Sequence, residues 1–407
     1  MSTAAERGER RGLVGALRDR LLGRGVASAP VDPDASPAVA PETVPASDRV
    51  PVRPVAPASG AAAEVDADGE HALEPPRDER EVARDFWNEK HAHDVANQEA
   101  LDPVDYTRHW FLYNHAVSKP LTGDCAKYWL DEVGGRWLRP RPERMLALGC
   151  GPAFIEEQIL ERDFAGTIVA YDTSEVAIAS ARERLAATPL AGRMDLRCAN
   201  VLEAGIPDAS FDAVFVEAAL HHFTELEATF QLMHRVLRPG GLLLFDEYVG
   251  PDLQQYPPEL EALLTRINAC LAPRLRRDFE TGEVRETVEK CPVEVQMQRD
   301  PTEGVHASQI LPLTYRYFEV LDRRDYGGTI MRPLFNRILL NWDFPNDPKD
   351  QTIAQLIVLL EQELLRAGAI PTHNVVVVAR PRPVPLPSDD EAARVACVDR
   401  TGDARAR

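Results

Sequence analysis

The sequence lacks the features of a disulfide-rich, membrane-spanning or polyanion-binding protein. Its six cysteines, spread over 407 residues, form no CxxC pair, which predicts a reducing compartment and no disulfide framework. No run approaches the roughly 18 apolar residues of a transmembrane helix, and the start of the chain shows no cleavable signal pattern. The formal net charge of −19 disfavours general binding to nucleic acid. These absences predict a cytoplasmic protein.

The first 80 residues also lack Phe, Tyr and Trp, although ten of the 33 prolines lie there. Such a segment cannot bury enough apolar surface to offset the entropy that ordering costs. We predict disorder over 1–81, with a possible short basic helix over 11–24 that could contact a membrane surface or a partner. A second disordered tail is predicted over 381–407. One globular unit of about 300 residues remains.

The rest of the sequence indicates an α/β fold. The aromatic-rich segment 82–140 has helical spacing and predicts two or three helices before the first strand. Short apolar runs then alternate with helical stretches over 141–380, which predicts right-handed βαβ units and a doubly wound, Rossmann-like parallel sheet. The predicted strands are 144–148, 167–171, 194–198, 211–217, 242–247, 317–326 and 374–380. A helical insertion over 251–310 should cover the carboxyl ends of the strands, where such sheets bind ligands.

A glycine-rich turn, LGCGPA, follows the first predicted strand. Gly149 and Gly151 permit a tight turn and close approach of the backbone to a ligand. Asp172 ends the next strand about twenty residues later, where a carboxylate can accept both hydroxyl hydrogen bonds of an adenosyl ribose. A nicotinamide dinucleotide would need a third glycine where this chain has Phe154, and Pro152 removes an N–H that a pyrophosphate could use. The turn therefore suits an adenosyl ligand without a pyrophosphate.

The ordered motifs LALGCGPA, AYD, CANVLE, FDAVFVEAALHHF and LRPGGLLLFDEYVGP, over about 145–250, resemble the class I S-adenosylmethionine-dependent methyltransferases. The resemblance implies a seven-stranded, mostly parallel sheet whose last strand is antiparallel. It also implies S-adenosyl-L-methionine as the cofactor. A wider match over about 85–380 resembles a bacterial subgroup that is often found alongside glycan and polysaccharide enzymes.

The resemblance assigns cofactor roles residue by residue. The implied cofactor-binding residues are Gly149, Gly151, Asp172, Asn200 and Glu217. The glycines would line the methionine and ribose, and Asp172 would hold the ribose hydroxyls. Asn200 would accept a hydrogen bond from the adenine amino group. Most relatives carry an acid where this chain has Ala147, so we expect Glu217 to accept the cofactor ammonium instead.

Candidate catalytic side chains follow the fourth and fifth strands, whose ends face the ligand in this topology. The predicted catalytic residues are His221, Asp246 and Glu247. Methyl transfer needs alignment of the acceptor and exclusion of water, and a hydroxyl acceptor also benefits from a general base. A structural alternative stays open for each residue, because a histidine can cap a turn and a buried carboxylate can bind a backbone amide.

Two further clusters were weighed for chemistry. His91-x-His93 and the pair His221–His222, with nearby acids, could supply nitrogen and oxygen ligands, but their spacing fits no zinc motif and no metal is predicted. Three arginines surround the DYGG sequence of residues 325–328, at positions Arg323, Arg324 and Arg332. They offer either a solvated strand end or a contact for a charged sugar or phosphate.

The leading interpretation is an enzyme that methylates a small molecule or a glycan, with a sugar hydroxyl as the favoured acceptor. Methylation of a nucleic acid or a protein is the second enzymatic hypothesis, and the negative charge disfavours RNA. A non-catalytic, cofactor-binding scaffold tethered by residues 11–24 is the third. Cofactor binding without turnover on any acceptor would support that scaffold hypothesis.

Overall fold

The computed structural model describes residues 79–96 and 105–388. The predictions of disorder over 1–81 and 381–407, and of a helix over 11–24, fall mostly outside the described residues. Within them, residues 79–81 begin a helix, and the N–H groups of Arg382 and Leu386 donate to the carbonyls of Tyr317 and Arg316, so disorder does not hold for 79–81 and 381–388. Within the described part of the chain, no helix is both long and apolar enough to cross a bilayer. The cysteines at positions 125, 150, 198, 270 and 291 are free thiols.

One seven-stranded sheet forms the centre of the protein. Its strands are β1 (Arg144–Leu148), β2 (Thr167–Asp172), β3 (Met194–Cys198), β4 (Phe211–Glu217), β5 (Leu237–Tyr248), β6 (Phe318–Gly327) and β7 (Asn374–Pro381). Their spatial order is β3-β2-β1-β4-β5-β7-β6. Neighbouring strands among β1 to β5 pair in parallel, whereas β7 is antiparallel to both β5 and β6. The predicted seven-stranded, mostly parallel sheet with an antiparallel last strand is confirmed.

Helices flank the sheet on both faces. They are α1 (Glu79–Ala96), α2 (Trp129–Trp137), α3 (Phe154–Glu161), α4 (Glu175–Ala186), α5 (Leu226–Val236), α6 (Pro258–Ala269), α7 (Val293–Arg299), α8 (Ile310–Tyr317), α9 (Met331–Phe335) and α10 (Pro348–Arg366). Between α1 and α2, short helical pieces follow one another at Tyr106–Arg108, Trp110–Leu112, Tyr113–Ser118 and Lys119–Thr122, the third of them a π-helix. Further 3₁₀ turns lie at Val201–Glu203, Leu220–His222, Asp252–Gln254, Ala307–Gln309 and Leu339–Asn341.

The sheet separates two hydrophobic cores. Met145 and Ala147 of β1 belong to one core, and Leu146 and Leu148 belong to the other, because successive side chains of a strand point to opposite faces. A strand that is buried on both faces reads as a continuous apolar run, as β1, β4 and β7 do. From β1 the sheet continues to β2 and β3 on one side and to β4 and β5 on the other, so the strand order reverses between β1 and β4. The carboxyl ends of these two strands therefore border the crevice where open α/β sheets bind ligands.

The predicted insertion contains α6, α7 and two 3₁₀ turns joined by irregular chain. Its two ends are tied together, since the Leu253 N–H donates to the Gly304 carbonyl at 2.9 Å. Just before Gly304, the insertion reaches the turn after β4, where the Thr302 hydroxyl lies 3.1 Å from Nδ1 of His222. The insertion therefore covers the carboxyl end of the sheet, as expected.

Candidate active site

A cavity of about 1040 Å³ opens at the carboxyl ends of β1 to β4. The sequence singled out five cofactor-binding positions, and all five line this cavity: Gly149, Gly151, Asp172, Asn200 and Glu217. They come from four different strands or strand ends that are far apart in the chain. The fold therefore brings together the cofactor set that the motifs predicted.

The glycine turn after β1 comes very close to the end of β4. Gly149 has φ +61°, and a Cβ atom at this position would lie 2.5 Å from Cβ of Ala219. Gly151 has φ +49°, again in the left-handed region that favours glycine. The Cys150 N–H donates to the Tyr171 carbonyl at 3.1 Å and ties the turn to β2. A side chain at position 149 would therefore push the turn away from β4.

Asp172 holds the glycine turn and also faces the cavity. Its Oδ2 accepts from the Gly151 N–H at 2.7 Å, and its Oδ1 accepts from the Ser174 N–H at 2.7 Å. An ionised carboxylate has about four lone-pair sites, so two acceptor positions remain for ligand hydroxyls. The acid at the end of β2 thus has a structural role that the sequence did not indicate.

Asn200 follows β3 and caps the 3₁₀ turn Val201–Glu203. Its Oδ1 accepts from the Leu202 N–H at 3.0 Å. One lone pair of the amide oxygen is therefore used within the protein, which leaves the second lone pair and the amide N–H groups for an adenine.

Two acids that line the cavity have raised pKa values. Burial raises the pKa of Glu217 to about 7, and the Glu247 carboxylate adds to the shift. Glu217 is partly exposed, whereas Glu156 is buried. Burial likewise raises the pKa of Glu156, in the first turn of α3, to about 8. A positive group bound between these carboxyls would stabilise their ionised forms.

Helix α1 lies over the cavity and contributes Trp87 and His91 to its lining. Nδ1 of His91 lies 3.1 Å from the Ser174 hydroxyl, beside the acid that ends β2. Asn88 accepts from the same hydroxyl at 3.0 Å. The sequence analysis treated the aromatic residues of this segment as core and His91 as a possible metal ligand. It gave no signal that the helix covers the cavity.

The predicted catalytic residues His221 and Glu247 form a buried pair that does not reach this cavity. Oε2 of Glu247 lies 2.7 Å from Nδ1 of His221. Its Oε1 accepts from the N–H groups of Ala219 and Leu220 at 2.7 and 2.6 Å. Burial alone would lower the pKa of His221, but the Glu247 carboxylate outweighs it and raises that pKa. The pair fixes the turn after β4 from behind the cavity wall.

Asp246, the third predicted catalytic residue, also lies outside the cavity lining. The Tyr326 hydroxyl of β6 donates to its Oδ1 at 2.8 Å. Burial raises the pKa of Asp246 well above its usual value, and Glu217 reinforces the effect. The structure therefore places this carboxyl between β5 and β6 as a buried hydrogen-bonding group.

His222 lines the cavity where its neighbour His221 does not. Its ring contacts Trp87 of α1 edge to face, with centroids 4.7 Å apart. Burial lowers the pKa of His222 to about 3, and His221 adds to the shift. The ring is therefore neutral at physiological pH. The sequence analysis considered this residue but ranked it behind His221.

The three arginines near β6 each contact an acid of the protein. Arg323 pairs with Asp325 at 2.7 Å, Arg324 pairs with Asp322 at 3.0 Å, and Arg332 lies 3.4 Å from Glu303. The three side chains therefore do not form a common anion site on their own.

Residues 146–245 match a family model that is described as a methyltransferase domain. Residues 146–245 are thus similar to a methyltransferase domain, and the fold around them is Rossmann-like. Over 173 residues the chain is 30% identical to the ubiquinone/menaquinone biosynthesis C-methyltransferase UbiE of Methylobacterium nodulans. The alignment covers 42% of this chain and 65% of that protein. Over 154 residues it is 29% identical to 24-methylenesterol C-methyltransferase 2 of Oryza sativa, with 37% and 42% covered.

A longer alignment relates the methyltransferase domain to a Mycolicibacterium smegmatis protein called "Probable S-adenosylmethionine-dependent methyltransferase". The two chains are 26% identical over 238 residues, which is 58% of this chain and 75% of that protein. The chain spans 44%, 65% and 55% of the length of three UbiE proteins that it matches. The likeness thus centres on the cofactor-binding half of the sheet.

S-adenosyl-L-methionine is the cofactor of this class of methyltransferase domain, and the residues present fit it. The glycine turn leaves no room for a Cβ at position 149, which brings backbone to the ligand. Asp172 keeps acceptor capacity for a ribose, and Glu156 and Glu217 suit the ammonium and sulfonium charges. Each feature matches one part of the cofactor.

Proposed function

We propose that the protein transfers a methyl group from S-adenosylmethionine to a small-molecule acceptor in the cytoplasm. The observation that carries the proposal is that all five sequence-predicted cofactor positions line one cavity, at the point where the strand order of the sheet reverses. Carboxyl groups of raised pKa line that cavity, and a ligand with positive charge would stabilise their ionised forms. S-adenosylmethionine has two positive groups, whereas a nicotinamide dinucleotide adds negative phosphate charges.

We assign the cofactor parts to the lining as follows. Gly149 and Gly151 approach the methionine and ribose, Asp172 accepts from the ribose hydroxyls, and Asn200 contacts the adenine edge. Glu217 pairs with the ammonium group, because position 147, where most relatives have an acid, is an alanine in this chain. Glu156 also lines the cavity and adds a second carboxyl to the methionine end.

The acceptor is proposed to bind beneath α1, beside Trp87 and His222. Pockets for drug-sized ligands have volumes of about 300 to 1000 Å³, so a cavity of about 1040 Å³ holds the cofactor and a small acceptor. A sugar hydroxyl remains the acceptor that the glycan-associated resemblance favours. Two of the relatives named above are called C-methyltransferases, which makes an activated carbon the second candidate.

His221, Asp246 and Glu247 then act as positioning residues in this proposal. Glu247 holds two backbone N–H groups of the turn after β4 and one ring nitrogen of His221. The turn includes Ala219, whose methyl group meets the glycine turn of the cofactor site. Loss of this support would move the wall against which the cofactor and acceptor are aligned.

A labelled-methyl assay tests the proposal. The full chain is incubated with S-adenosylmethionine carrying a ¹³C methyl group and with a panel of sugar nucleotides, quinone precursors, RNA and protein. We expect formation of S-adenosylhomocysteine with small acceptors only, and a methyl carbon shift typical of an O-methyl sugar. Glu217→Gln should lower turnover, whereas Glu161→Gln, exposed at the end of α3, should not.

Two outcomes would contradict the proposal. Methylation of RNA or protein would favour the second enzymatic hypothesis. Binding of the cofactor without turnover across the panel would favour the scaffold hypothesis.

A further inference from the structure

Three side chains at the end of β4 converge beside the cavity. His221, His222 and Glu303 each offer a ligating atom, and the three atoms lie within 4.8 Å of one another. Two of them are adjacent in the chain, and the third comes from the insertion about 80 residues later. The three residues are called the His–His–Glu cluster below.

Every member of the cluster has its other polar atom held by the protein. Nδ1 of His221 is bound by Glu247 at 2.7 Å, and Nδ1 of His222 lies 3.1 Å from the Thr302 hydroxyl. Oε1 of Glu303 accepts from the side-chain amide of Gln254 and from Arg332. This arrangement leaves Nε2 of both histidines and Oε2 of Glu303 for a shared ligand.

The measured separation suits two ligands of one ion. Nε2 of His222 and Oε2 of Glu303 lie 3.8 Å apart, which is too long for a hydrogen bond. Two ligands at about 2.1 Å from a tetrahedral ion lie roughly 3.4 Å apart. This one pair would need to approach by about 0.4 Å to bind a tetrahedral ion, and the ligating atoms of the whole cluster lie within 4.8 Å of one another.

We infer that His221, His222 and Glu303 form a binding site for a divalent transition-metal ion of the zinc type. Two imidazoles and one carboxylate are ligands that zinc accepts in tetrahedral sites with one open position. In established metal sites, a hydrogen bond on the side of a ligand that faces away from the metal fixes the orientation of its ring. Glu247 makes such a contact with His221. The pair His221–His222 was a metal-ligand candidate in the sequence, but no local pattern indicates the third ligand, Glu303, because it comes from the insertion.

The electrostatics of the surroundings are compatible with a cation. Glu303 and Glu247 face the cluster, and Arg332 is the basic group next to it. Arg332 contacts only the Oε1 side of Glu303, away from the oxygen that faces His222.

The open position of the ion would face the cavity, because His222 and Thr302 both line it. An acceptor oxygen bound there would lose its proton more readily. This consequence rests on the proposed methyl transfer, whereas the metal site itself does not.

Metal binding without cofactor tests the inference directly. Apo protein, stripped with a chelator, is titrated with zinc by calorimetry and with cobalt(II) by visible absorption. We expect a zinc site whose loss accompanies His222→Ala and Glu303→Gln, and a tetrahedral cobalt spectrum that the same variants abolish. His306→Ala is the matched control, since this histidine lies three residues beyond Glu303 and contacts Gln309 instead.

Thr302→Val keeps all three ligands and removes only the hydroxyl that orients His222. Zinc affinity should fall by about 10- to 100-fold in this variant, while circular dichroism stays unchanged. Equal zinc stoichiometry and affinity in wild type, His222→Ala and Glu303→Gln, or no zinc binding by the wild-type chain, would overturn the inference. Neither result bears on methyl transfer, so the two proposals fail separately.

Discussion

Replacement of Asp172 by alanine should weaken S-adenosylmethionine binding strongly. In the structure this carboxylate accepts from two backbone N–H groups, at Gly151 and Ser174, and keeps lone pairs for the ribose. Loss of two charge-assisted hydrogen bonds to the ribose costs roughly 2 to 4 kcal/mol. At about 1.4 kcal/mol per tenfold change, the Kd should rise by about 30- to 1000-fold.

The two backbone contacts make a second effect measurable. Each lost intramolecular hydrogen bond costs about 1 kcal/mol net, so Asp172→Ala should also lower Tm by several degrees without cofactor. Asp195→Ala is the matched control, because Asp195 is an exposed acid on β3 that binds only Arg197. Isothermal calorimetry and thermal unfolding should be run on all three proteins. A Kd for Asp172→Ala within threefold of wild type would refute the assignment.

Three further predictions follow from the same cavity. Gly149→Ala should lower both Tm and cofactor affinity, whereas Gly205→Ala, at a similar φ of +60° but with no heavy atom within 4 Å, should show only the smaller backbone cost in thermal unfolding; equal effects would contradict the close approach to Ala219. Because Glu217 and Glu156 have apo pKa values of about 7 and 8 and a bound cation lowers them, cofactor affinity measured by calorimetry should rise as pH increases towards this range. It should fall again once the α-amino group of the cofactor, with an ordinary pKa of about 8, loses its proton; a flat profile would contradict the pairing. Glu247→Ala should lower the unfolding free energy in denaturant titrations by about 3 to 5 kcal/mol, because three donors lose their acceptor. A loss of unfolding free energy below about 0.5 kcal/mol, as is typical of an exposed residue, would contradict its buried role.

The sheet could be predicted closely because its signals are local. Buried parallel strands read as short apolar runs, and the predicted limits of β1, β3 and β4 agree with the structure. The start of β5 was missed, because Leu237 pairs with Phe211 before the Pro239-Gly240-Gly241 turn, and such early pairing leaves no apolar run. Helix α10 begins at Pro348, three residues before the apolar pattern that starts at Gln351, because its cap at Asp347 and its first-turn proline precede that pattern.

The candidate site divides in the same way. The cofactor positions lie in motifs at strand ends, so topology alone brings them together. To predict the catalytic residues, one must know which of two adjacent side chains faces the cavity. The alternation of side chains along a strand answers this within the strand, but it does not extend into the 3₁₀ turn that follows. There His221 turns inward to Glu247 while His222 faces the cavity. Contacts from α1 and from Glu303 are separated from these motifs by long stretches of chain, so no local pattern could indicate them.

The central claim is that the cavity at the ends of β1 to β4 binds S-adenosylmethionine. The most direct measurement is calorimetric titration of the wild-type chain with S-adenosylmethionine and, separately, with NAD at about pH 8. At that pH Glu217, with a pKa of about 7, is largely ionised, and Glu156, with a pKa of about 8, is about half ionised. The account predicts binding of S-adenosylmethionine with a Kd at about the micromolar level and no comparable heat from NAD. Preferential binding of NAD, or no heat from S-adenosylmethionine, would contradict it.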